Sequence, residues 1–189
     1  PHTGNVIVYP FKSSIKSQID GNSVILYFNT YGVDYRCEFS IDGEKPDVLF
    51  SITPLSFGEK QLLEAWFPGN MEPLGGKINW TAFPSGGQGL LYLGGGSSFS
   101  KYFQVYSGLN MPFWGAGDEK SSYIAIIETP YDSALHLSKN PEGKIEARIR
   151  WIRCMGSLNY TRRIRYSLFP KGSYVSIAKR YREYVISKG

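Results

Sequence analysis

Long apolar runs, paired metal ligands and a cysteine framework are all missing from this chain. Among its 189 residues no stretch approaches the roughly 20 apolar positions that a bilayer-spanning helix needs, so no membrane partner is expected. The opening PHTGNVIVYP carries neither a charged start nor an apolar block, and no signal peptide is legible there. It also lacks an initiating methionine, which reads as excision from something longer. Cys37, Cys154, His2 and His136 lie scattered, without the short paired spacings of a zinc site. Neither a metal nor a cofactor is expected. Two unclustered thiols are compatible with free buried cysteines or with one disulfide, so secreted, periplasmic and cytoplasmic locations all stay open. The glycine-rich GGQGLLYLGGGSSFSK is not closed by Gly-Lys-Ser/Thr and no helical pattern follows it, which argues against a phosphate-cradling loop.

What the chain has instead is rings and glycines. Aromatics make up 15% of it, with 14 Tyr, 11 Phe and 4 Trp, beside 21 Gly, a pairing that suits an all-β domain with many turns. The dominant pattern has period two, the mark of half-buried strands. NSVILYFNTYG (residues 22–32), DYRCEFSIDG (34–43) and KPDVLFSITP (45–54) read as three strands in succession, and SSYIAIIETP (121–130) reads as a buried one. In GKIEARIRWIRCMGSLNYTRRIRYSLFPKG the apolar positions Ile145, Ala147, Ile149 and Trp151 alternate with charges, as do Ile164, Tyr166 and Leu168. This segment reads as a long antiparallel pair around a turn at Gly156–Asn159. Only GSYVSIAKRYREYVISKG is convincingly helical, with Ser173 as N-cap and Tyr174, Ile177, Ala178, Tyr181, Tyr184 and Val185 on one stripe. The expected architecture is a large antiparallel β-sandwich over residues 1–172, followed by one C-terminal helix over 173–189.

Charge is unevenly placed. Residues 144–189 hold 12 Lys and Arg against Glu146 and Glu183, whereas residues 1–143 are net acidic. If the paired strands form, Arg148, Arg150, Arg163 and Arg165 share one sheet face, and such like charges repel unless something acidic covers them. A nucleic-acid or polyanion surface is one reading, although no recognised motif supports it. A face covered by a neighbouring domain is another. Glycoside hydrolysis needs two carboxylates flanking the bond. Asp118, Glu119, Glu128 and Asp132 cluster in sequence, but Asp in GAGDE and PYDS is also ordinary turn chemistry.

The stretch NMPFWGAGD (110–118) places two large rings in what reads as a Pro/Gly turn. Trp66 and Trp80 likewise lie next to Pro or Gly, whereas Trp151 sits in a core pattern. Sugar rings stack their C–H faces on aromatic rings while polar turn residues take the hydroxyls. Trp114, with Phe113 beside it, Trp66 and Trp80 are therefore candidate carbohydrate-binding residues. The competing reading is that these rings fill the ends of a wide sandwich.

MPFWGAGDEKSSYIAIIETPYDSAL is similar to a segment in the N-terminal sandwich of large bacterial glycoside hydrolases, and RIRYSLFPKGSYVSIAKRYREYVISKG resembles the exit of that domain. Both resemble the galactose-mutarotase-like supersandwich of endo-α-N-acetylgalactosaminidase-type enzymes. The resemblance covers about residues 111–189 and includes no catalytic motif. It implies a non-catalytic domain packing on a (β/α)₈ barrel that bears the reactive carboxylates and is absent from this sequence. The arginines would then be interdomain residues, and Trp114, Phe113 and Asp118 could border a sugar cleft. A free-standing carbohydrate-binding module is the alternative.

Overall fold

The computed structural model describes residues 16–30, 32–56, 64–93, 97–154 and 158–189. In chain order the first strands are β1 (Lys16–Asp20), β2 (Ser23–Thr30), β3 (Val33–Ile41), β4 (Asp47–Pro54), β5 (Glu64–Ala65), β6 (Trp80–Ser85), β7 (Gln88–Leu93) and β8 (Phe99–Gln104). A single-turn helix α1 (Val105–Gly108) leads to β9 (Phe113–Gly117), β10 (Ser121–Ile127), β11 (Ser133–Lys139), β12 (Ile145–Ile152) and β13 (Arg162–Pro170), and α2 (Tyr174–Lys188) follows. The opening segment with His2, glycines 94–96 and the start of the expected turn at Gly156 lie outside the described residues.

The strands build two antiparallel sheets, one of nine in the order β1-β2-β3-β4-β13-β10-β9-β6-β7 and one of four in the order β5-β12-β11-β8. The all-β sandwich with a terminal helix is therefore present. Alternation is clearest in β12, which buries Ile145, Ala147, Ile149 and Trp151 and turns Glu146, Arg148 and Arg150 outward. Strand β10 is buried at every position because both its faces are covered. Ala125 and Ile127 meet Leu135, Ile149 and Trp151 in the core between the sheets. Ile124 and Ile126 meet Phe113 and Ile177 of α2 on the other side. The molecule thus has three layers, with the nine-stranded sheet in the middle.

Two expectations are corrected. Strands β12 and β13 do not pair: β12 lies between β11 and β5, and β13 between β10 and β4, in different sheets. Each has one apolar face, and they bury those faces across the inter-sheet space, where Ile149, Trp151, Ile164 and Tyr166 share one core. The stretch from Phe113 to Gly117 is an interior strand, not a turn, flanked by β10 and β6. Its glycines serve close packing. A Cβ on Gly115 would lie 2.9 and 3.0 Å from Ile177 Cγ1 and Cγ2 and closer still to Cδ1, and one on Gly117 would lie 2.7 Å from the Trp80 ring.

Ser173 caps α2, its N–H donating to Ser176 Oγ at 3.3 Å, and the Gly189 N–H closes the other end on the Ile186 carbonyl. The stripe along α2 is only partly used. Ile177 is buried and Tyr181 and Tyr184 half-buried, but Tyr174 and Val185 are exposed. Arg180, which the pattern puts off the stripe, is buried.

Candidate functional site

Four places concentrate chemistry, and the first lies beneath α2. The Asp47 carboxylate, fully buried at the start of β4, accepts from Arg180 Nη2 at 2.5 Å and Arg165 Nη1 at 3.1 Å through one oxygen. Arg165 Nε donates to Glu128 at 2.9 Å, its Nη1 reaches Asp42 at 3.3 Å, and Arg180 Nε donates to Ser167 Oγ at 3.1 Å. Burial by itself would lower the Arg165 pKa, but Glu128 and Asp47 outweigh it and the net shift is upward. Glu128 is therefore the partner of an arginine. No sequence pattern links Asp47 to Arg180, 133 positions apart.

The second place is the end of β9. Asp118 Oδ1 accepts the N–H groups of Lys120 and Ser121, and Oδ2 accepts that of Gly75, each at 2.7 Å. Burial alone would raise this carboxyl; the donors from Ser121, Lys120 and Gly75 prevail and hold it below the usual carboxylate range. Asp118 clamps the loop before β6 to the β9–β10 turn. Asp132, the left-handed turn residue ahead of β11, accepts from Tyr160 Oη at 3.0 Å. The sequence cluster of carboxylates is thus dispersed among separate structural tasks.

The third place is the outer face of the four-stranded sheet. His136 stacks on Tyr102 at 4.3 Å between ring centroids and meets the edge of Trp66 at 5.3 Å. Arg150 lies 4.3 Å from the Tyr102 centroid and 5.5 Å from that of Trp66, with Arg148 at 5.6 Å from Trp66. Glu64 accepts from both Trp66 Nε1 and Arg150, and Arg148 pairs with Glu146 at 2.5 Å. Ser100 Oγ is 3.0 Å from His136 Nε2. Desolvation, then the Arg148 charge, lowers the His136 pKa, and desolvation lowers that of Arg150.

The fourth is an apolar cleft of about 500 Å³ between α2 and the β6–β7 hairpin, walled by Ala82, Phe83, Pro84, Met111, Phe113 and Ala178.

The sequence candidates therefore part company. Trp114 is fully buried, set edge-on to Tyr166 at 6.1 Å, and has no face free for a ligand. Phe113 is buried on the opposite side of the sheet, stacked on Tyr181 at 4.3 Å. Strand alternation sends these neighbours to different layers. Trp80 is half-buried against the Phe113 cluster, and Trp66 belongs to the ring and arginine layer above. The four arginines do not share a face. Arg148 and Arg150 lie on the outside of the small sheet and Arg163 and Arg165 on the α2 side of the large one, and the acidic cover for three of them comes from this chain. Arg163 is exposed. Cys37 and Cys154 are free thiols; burial pushes Cys37 up to about 12. Among the described residues no group of three or more His, Cys, Asp or Glu could hold a metal ion, and no helix is long and apolar enough to cross a membrane.

No family model matches the chain, and no curated protein matches it by sequence. Solved structures do match. The α-N-acetylgalactosaminidase NagBb from Bifidobacterium bifidum, in complex with GalNAc, superposes with a TM-score of 0.78 at 20% identity, over 96% of this chain and 32% of its own. The GH36 α-galactosidase AgaA from Geobacillus stearothermophilus gives 0.53 at 11% identity, over 79% of this chain and 24% of its own. AgaB from the same organism gives 0.53 at 9%, over 87% and 26%. The chain spans about a quarter to a third of the length of these enzymes. It carries the β-sandwich fold of a domain found within large glycoside hydrolases.

Proposed function

We propose that this chain is a non-catalytic β-sandwich domain of a larger glycoside hydrolase acting on α-linked sugars of galactose configuration, with the reactive carboxylates in a neighbouring domain. The observation that carries this reading is the superposition of almost the whole chain on about a third of NagBb. The carboxylates agree with it, since Asp118 is taken up by backbone N–H groups, Glu128 by Arg165 and Asp132 by Tyr160. The α2 side of the large sheet, with exposed Tyr174, Val175 and Arg163, is the side assigned to the neighbour. A polyanion surface is disfavoured, because the arginines divide between two faces and three pair with acids of this chain. The test is turnover of aryl α-N-acetylgalactosaminide and aryl α-galactoside. The chain alone is expected to be inert and the polypeptide that contains it active. Turnover by the 189-residue chain that Glu128→Gln abolishes would overturn the reading.

The layer of Trp66, Tyr102 and His136 favours a second reading, a glycan-binding module, because it sets rings beside arginine and carboxylate groups on a solvent-facing sheet. Titration of the chain with α-galactosides would then show binding that Trp66→Ala removes.

A further inference from the structure

The cleft beside α2 has a lining that rules on its occupant. Among the described residues that border it none is charged, and only Asn110 and Tyr174 carry polar side-chain atoms. A saccharide placed there would leave most of its hydroxyls without partners, at a cost that ring stacking does not offset. The volume of about 500 Å³ is ample for large apolar side chains. At the rim Met111 is 42% and Tyr174 59% exposed, and the apolar surface continues to Val175. A small apolar molecule in the cleft would leave that rim wet, whereas a protein surface would cover it.

The walls are also held in place before anything binds. The Asn110 N–H donates to the Pro84 carbonyl at 3.1 Å, Ser85 Oγ donates to the Gly108 carbonyl at 2.9 Å, and the Phe113 N–H closes a turn on the Met111 carbonyl at 2.8 Å. On the opposite wall α2 is fixed by Ile177 against Gly115 and by Arg180 on Asp47. A rigid, apolar, open-sided recess of this kind suits a protruding anchor, since little ordering remains to be done on docking. The enzymes of matching fold are at least three times as long as the matched region, so a large neighbour is available to supply one.

We infer that the cleft between α2 and the β6–β7 hairpin is the socket for an apolar side-chain anchor carried by the neighbouring domain of the same polypeptide. This rests on the accessory-domain reading above. Ala178 is exposed on α2 and lines the cleft, so Ala178→Arg fills it with a charge while leaving the core alone.

Hydrogen exchange is measured on the 189-residue chain and on the polypeptide that contains it. Amides of residues 82–89, 110–113 and 174–178 are expected to exchange at least about tenfold more slowly in the longer protein. Ala178→Arg is expected to abolish that difference without changing the urea midpoint of the chain alone. Equal exchange in both proteins overturns the inference, and if the chain still co-purifies with the separately expressed remainder, the accessory-domain reading survives it. If the two pieces do not associate and the longer protein hydrolyses neither aryl substrate, that reading falls as well. Sedimentation of the chain alone as a dimer that Ala178→Arg dissociates also overturns the inference, since a second copy would then be the occupant.

Discussion

Gly115→Ala tests how α2 is seated. The added methyl would stand 2.9 and 3.0 Å from Ile177 Cγ1 and Cγ2, and nearer still to Cδ1, where carbon contacts prefer about 3.5–4.0 Å. Turning Cδ1 toward the adjoining cleft does not relieve the contact, because Cγ1 and Cγ2, both attached to the Cβ, also crowd the methyl, and Ile177 packs among Phe113, Ile124 and Ile126. Either α2 lifts or the side chain leaves its rotamer, and overpacking of this kind costs about 1–3 kcal/mol. Ala also restricts the unfolded chain, which returns about 0.4–1 kcal/mol. The net loss is about 1–2 kcal/mol, and for a chain of this size each kcal/mol lowers Tm by about 2–4 °C. Ile177→Val removes the atom nearest the new methyl and alone costs about 0.5–1.5 kcal/mol. The double variant should therefore be more stable than the sum of the singles implies, by about 1 kcal/mol in urea unfolding. Additivity within about 0.5 kcal/mol, or a neutral Gly115→Ala, would refute the seating of Ile177 on the bare strand.

Three further perturbations address the charged groups. Asp47→Asn strips the carboxylate from Arg165 and Arg180 and should cost about 3–5 kcal/mol by urea unfolding, while adding Arg180→Met should recover part of the loss. Asp118→Asn loses charge-assisted acceptors for three N–H groups and should cost about 1.5–3 kcal/mol at neutral pH. Because the folded pKa of Asp118 is depressed, its contribution is present above the unfolded value and fades as the pH falls, so melting of the variant should change less on acidification than that of the parent. The depressed His136 pKa has the same sign: the unfolded chain takes up that proton first, stability falls as the pH drops from 7 to 5, and His136→Gln should flatten melting curves over that range.

Much of the fold is legible in the residues, and the gaps have physical causes. Alternation marks β3 and β12, and apolar runs mark β2, β4 and β10, because a strand's wetting pattern is local. Pairing is not local. An amphipathic strand is equally satisfied by a neighbour beside it or by a sheet opposite, so β12 and β13 read as a hairpin while the core accepts them face to face. Gly115 and Gly117 illustrate another ambiguity: the same residue supplies a turn or makes room for a close approach, and only the third dimension tells which. The site was less legible. Trp114 and Phe113 are adjacent in sequence and end in different layers. The Asp47 hub draws its arginines from two distant elements, and nothing in KPDVLF announces it.

Strand β10 works as an alignment key for the whole molecule. Its odd and even residues serve different layers, Ala125 and Ile127 the small sheet, Ile124 and Ile126 the helix. Sliding it by a single position would offer each layer the wrong set of side chains at once, with no wetted side on which to hide the error. Natural variation in relatives of this domain should accordingly collect at the sheet margins, in β1 and β8, and spare this strand.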